Sequence, residues 1–147
     1  MKEDLKLSGE VTLVLKDSNG NVKQTQTIKN LVVNAGLNFI TSRMQNTSKG
    51  IMSHMGLGSG TVAAAAGDTD LGSLLGSREA IDTDLVNANV LTYVCTFEAG
   101  DATGAVTEAG IFNAASGGDM LCRTVFSAVN KAASDSLAIT WVVTLSV

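Results

Sequence analysis

Near its end the chain alternates without a break. Leu137, Ile139, Trp141, Val143 and Leu145 fall on one face, and Ser136, Ala138, Thr140 and Thr144 fall mostly on the other. Successive side chains of a strand point to opposite faces, so this pattern demands an antiparallel strand with one side buried and one in water. Such a strand needs a second apolar surface stacked on it. The rest of the chain supplies candidates. Val11, Leu13 and Leu15 share a face within residues 5–15, and Asp17-Ser18-Asn19-Gly20-Asn21 predicts a hairpin turn, type I′ at Asn-Gly. The polar return strand, 22–28, suits an edge. Further strands are predicted over 52–57, 78–86, 90–97, 106–112 and 120–126, with Leu91, Tyr93, Cys95 and Phe97 on one face of theirs. Asn87-Ala88-Asn89 and the run from Ala114 to Asp119 read as hairpin connections.

One helix interrupts the strands. Asn34 is placed to cap it, and Leu37, Phe39, Ile40 and Met44 recur three and four apart. A single helical turn is expected at Leu71 to Leu75, inside a loop that begins at Gly58-Ser59-Gly60. The tally is about eight strands and one short helix near residues 35–45, an all-β chain folded as an antiparallel β-sandwich. Fifteen glycines and no proline agree, because glycine serves tight turns and every backbone N–H is left free for a ladder. At 147 residues one domain, 1–147, is expected, with Met1, Lys2, Glu3, Asp4, Leu5 and Lys6 as an N-terminal arm.

The formal net charge of −4 repels phosphate backbones and anionic headgroups, so neither nucleic acid nor membrane is an expected partner. No apolar run is long enough to span a bilayer. The opening residues lack an apolar h-region and do not read as a secretory signal, which points to assembly in a cytoplasm. Cys95 and Cys122 fit no zinc or redox spacing; they read as buried thiols, with a cross-strand disulfide as the alternative.

Chemistry is hard to find. His54 is the chain's one histidine and has no patterned partners for base or metal work. Gly56-Leu57-Gly58-Ser59-Gly60 lacks the Lys and the βαβ frame of a phosphate cradle, and reads as turn glycines. Asp17, Asn19 and Asn21 start like a calcium loop, but Val22 stands where that loop needs glycine, so a hairpin explains them better. Asp68, Asp70, Asp82 and Asp84 could gather a cation from two loops, or lie solvated. Glu108 and Arg123 sit among apolar residues of two strands that form one hairpin. They are read as a structural ion pair, opposite or diagonal, against the alternative of a catalytic acid beside an anion-binding arginine that lacks a nucleophile. No catalytic residue, metal ligand or cofactor is expected.

The stretches Val106-Thr107-Glu108-Ala109-Gly110-Ile111-Phe112-Asn113, Met120 through Phe126, Val129-Asn130-Lys131 and Leu137 through Trp141 carry a resemblance. With Asn30 through Gly36 and Met55 through Thr61, they resemble a pattern common in tailed-bacteriophage virion proteins, most like capsid cement (decoration) proteins with a jelly-roll-like β-sandwich. The resemblance implies a structural protein on the outer capsid surface. Its implied partners are the major capsid protein and other copies of itself, as a dimer or trimer, with assembly in the host cytoplasm. Residues 1–27 carry none of it. Similar elements occur in phage tail, baseplate and fibre-anchoring proteins, which is the alternative within the virion. A carbohydrate-binding β-sandwich module is the alternative of another class. It is disfavoured because Trp141 lies in the inward phase of its strand.

Overall fold

The computed structural model describes residues 4–45 and 48–147. The chain runs through β1 (Lys6–Lys16), β2 (Val22–Lys29), β3 (Leu31–Val32), α1 (Asn34–Met44), β4 (His54–Gly58), β5 (Glu79–Ala80), β6 (Thr83–Asn87), β7 (Val90–Phe97), β8 (Gly104–Phe112), β9 (Met120–Lys131) and β10 (Ser136–Ser146). These make two five-stranded sheets, β2-β1-β10-β7-β6 and β3-β9-β8-β4-β5, in which every pairing is antiparallel. The expected all-β sandwich is present. Its core is one apolar cluster shared by both sheets: Val11, Leu13, Tyr93, Phe97, Leu137, Ile139 and Trp141 from the first, Met55, Leu57, Val106, Ile111 and Val129 from the second.

The terminal alternation does what its pattern requires. β10 lies at the centre of its sheet, between β1 and β7, with Leu137, Ile139 and Trp141 fully buried and Val143 nearly so. Leu145, last in the row, is partly exposed where the sandwich opens. Trp141 donates its indole N–H to Asn30 Oδ1 at 2.7 Å, so its polar atom is satisfied without leaving the core.

Ten strands form where about eight were expected, for two local reasons. Leu31–Val32 pairs with β9 as a short strand rather than only leading into the helix. The segment 78–86 is also not one strand. Ile81 donates its N–H to Ser53 O, beside the second sheet, and Asp82 donates to Val94 O in the first, each at 2.8 Å. Asp82 Oδ2 further accepts the Thr96 N–H at 2.8 Å. The chain therefore changes sheets between these two residues.

Four smaller expectations are corrected. The opening turn is not type I′, since Gly20 has φ +84° but Asn19 has no positive φ. Asp17 Oδ1 instead accepts the N–H groups of Asn19 and Asn21, both at 2.9 Å, which favours a three-residue loop with glycine in the left-handed position. Asn34 is the first residue of α1, not its cap; Val33 holds the cap position without a side-chain bond, and Ala66 O takes the Asn34 N–H. The buried face of α1 is Gly36 and Phe39, whereas Leu37 is half exposed and Met44 is 84% exposed. Close approach decides this: a Cβ on Gly36 would lie 2.1 Å from Leu121 O. Finally, 71–75 is extended rather than helical, with Leu74 bridged to Gly58 and the Leu75 N–H bonded to Leu57 O.

Lys6, expected in the N-terminal arm, belongs to β1. Lys6 already pairs with Ser146, because β10 extends far enough to template it. Asp4 and Leu5 precede it, exposed, and Met1, Lys2 and Glu3 lie outside the described residues.

Candidate functional site

In β8, Val106, Ala109 and Ile111 belong to the shared core, yet Val106 and Glu108 are two residues apart and should share a face. A register shift between them against β9 resolves the conflict. Thr107 alone stands against Phe126, Ser127 and Ala128 of β9, and its hydroxyl donates to Gly60 O at 2.8 Å. The bulge turns Glu108 away from the core and onto the outer face of the second sheet, where the loop from Ser59 to Ser77 covers it. Gly110 is opposite Arg123 and Glu108 opposite Val125, so the expected pair is diagonal.

Both side chains are buried, Glu108 fully and Arg123 to within 3%. Glu108 Oε1 accepts from Arg123 Nε at 3.1 Å and from the Gly72 N–H at 2.7 Å. Its Oε2 accepts from the Ser73 N–H at 2.9 Å and from the Gly60 N–H. Arg123 continues outward: Nη1 donates to Asp68 Oδ2 at 2.9 Å and Nη2 to Val62 O at 3.0 Å. The N–H of Ala65 and then the guanidinium of Arg123 hold the Asp68 carboxyl below its usual range. One carboxylate and one guanidinium thus fasten three separate points of a long loop. Gly60 is glycine because a Cβ there would lie 2.1 Å from Glu108 Oε2. The loop does present backbone N–H groups to an anion, but that anion is the protein's own Glu108.

A second anchor holds the far end of the same loop. Arg78 Nη1 donates to Ala114 O at 2.9 Å and to Gly117 O at 2.8 Å, its Nη2 reaches Asp70 at 3.3 Å, and its guanidinium lies 3.4 Å from the Phe112 ring centre. Sequence reasoning did not single out Arg78. The available signal was an arginine a short way after Asp68 and Asp70, with no other cation in that loop. A third pair joins β2 to the β9–β10 turn, Lys23 Nζ lying 2.7 Å from Asp135 Oδ2.

No protein-family model, curated protein or solved structure matches this chain. His54 begins β4 with Nδ1 2.8 Å from Ser53 Oγ. The four aspartates do not converge: Asp68 goes to Arg123, Asp70 to Arg78, Asp82 to Thr96, and Asp84 sits on exposed β6. Among the described residues, no group of three or more His, Cys, Asp or Glu is placed to hold a metal ion. Cys95 and Cys122 are both free thiols in the interior; burial pushes Cys95 up to about 12 and Cys122 well above its usual value. The Glu108–Arg123 centre ties Gly60, Val62, Asp68, Gly72 and Ser73 of the loop to the second sheet.

Proposed function

We propose that this chain is a non-enzymatic structural protein of a tailed-bacteriophage virion, a cement or decoration protein that binds the outer capsid surface and stabilises the shell of major capsid protein. One observation carries the reading. Met55–Thr61, Val106–Asn113 and Met120–Phe126, three of the segments that carry the virion-protein resemblance, meet in the second sheet around Glu108 and Arg123. In that centre Glu108, Arg123 and Asp68 are all engaged in holding the loop 59–77 in place. A stiff, loop-covered sheet suits a clamp. Binding that orders nothing new avoids much of the entropic cost of association, and the gain repeats at every copy on a symmetric shell.

The test is quantitative mass spectrometry of purified virions, with heat challenge of capsids made with and without the protein. The expected result is a copy number comparable with that of capsid subunits and earlier rupture of capsids that lack it. Confinement to tails, at a handful of copies, would refute the capsid placement.

A further inference from the structure

Four strands form the outer edges of the two sheets, and three of them are blunted. β3 and β5 have two residues each. β2 carries Lys23 and Lys29 and meets β1 with a register shift. Lysines, short length and irregular pairing are the usual devices that stop edges from joining. β6 is longer than β3 and β5, pairs regularly, and carries a single charge, Asp84. Thr83-Asp84-Leu85-Val86-Asn87 is regular against β7, has no lysine or proline, and is exposed at every residue. Leu85 and Val86 point to opposite faces and are each 68% exposed.

The underside of this strand is also uncovered. Beneath Val86, Leu91 and Tyr93 runs an apolar trough whose other wall is Phe39 of α1 with Met52. Its two main compartments hold about 310 and 260 Å³. Along the trough, Asp84 stands on the strand side and Arg43 on the helix side.

We propose that β6 is a self-association edge, pairing antiparallel with β6 of a second copy about a two-fold axis at Leu85. The sequence is self-complementary in that register. Leu85 faces its own counterpart, Asp84 faces Val86, and Thr83 faces Asn87, so no like charges stand directly opposite one another. Pairing satisfies the free backbone groups of β6 and joins the two first sheets into one. A five-residue strand is only about 17 Å long and falls short of the roughly 800 Å² per partner of a stable interface. The dimer is therefore expected to be weak. The inference is independent of the capsid reading.

Sedimentation equilibrium of the full chain tests it. The wild type is expected to show a monomer–dimer equilibrium. Leu85→Lys and Leu85→Glu, each placing like charges on the axis, should weaken the dimer at least about tenfold. Mixing the two variants should restore a dimer, because Lys then faces Glu. Circular dichroism of each variant checks that it is folded. A wild type that stays monomeric, variants that dimerise like the wild type, or a mixture that does not recover would each overturn the proposal, and a monomer would leave the edge to a strand from another protein.

Discussion

Replacing Glu108 by Gln is the most direct probe of the loop-fastening centre. The substitution keeps volume and shape but removes the charge, and it puts an NH₂ group where one oxygen accepts hydrogen bonds. In the native protein Oε1 receives Arg123 Nε and the Gly72 N–H, and Oε2 receives the N–H groups of Gly60 and Ser73. Whichever way the amide turns, two donors meet a donor. Hydrogen bonds to a charged group contribute about 1.5–3 kcal/mol each, and stripping the partner from a buried charge costs about 3–5 kcal/mol. Arg123 keeps Asp68 and Val62 O, so the effects do not add. A loss of about 3–5 kcal/mol is expected, or a fall in Tm on the order of 10 °C for a chain of this size. Calorimetry reads the first quantity. Hydrogen exchange reads the mechanism, since the amides of Gly60, Gly72 and Ser73 should lose protection ahead of those in β1, β8 and β10. A Tm within about 2 °C of the wild type, with the three amides still protected, refutes the claim that Glu108 holds the loop.

Three further outcomes are expected. Gly36→Ala forces a Cβ against Leu121 O and should cost about 1–3 kcal/mol in thermal unfolding, although alanine is the better helix former. Asp135 is held below its ordinary carboxyl value chiefly by Lys23 and next by the Ala132 N–H. A carboxylate lowered on folding contributes its stability in full above the unfolded pKa and loses it as pH falls through the folded one. Below about pH 4 the wild type should therefore lose stability more steeply than Asp135→Asn, as denaturant titrations across pH will read. Cys95 and Cys122 are buried and protonated, so a thiol reagent at pH 8 should label neither in the native protein and both in denaturant; rapid native labelling contradicts the packing.

The parts of the fold that were legible in advance are those where one local rule operated alone. β10 and the buried row of β1 follow from period-two alternation, and the polar edge strand β2 from its composition. The Glu108–Arg123 pair was legible as two charges inside apolar strands. Its setting was not, because the register break that sets Thr107 against Phe126, Ser127 and Ala128 reverses the side on which Glu108 emerges, and such a break leaves no mark on composition. The helix face was misjudged for a similar reason: large side chains suggest a buried stripe, but the space beside Leu121 admits only a glycine.

By itself, then, the amino-acid order determined that this chain forms antiparallel strands with a shared apolar core, since side-chain periodicity is a property of each strand before it meets another. The tertiary structure alone decided that residues 78–86 divide between two sheets, that a distant loop brings Gly60, Gly72 and Ser73 to one carboxylate, and that β6 is left uncovered. Those outcomes depend on which surfaces remain once the sheets have stacked. Hydrogen-bond donors far apart in the chain become partners only when burial removes water as the alternative.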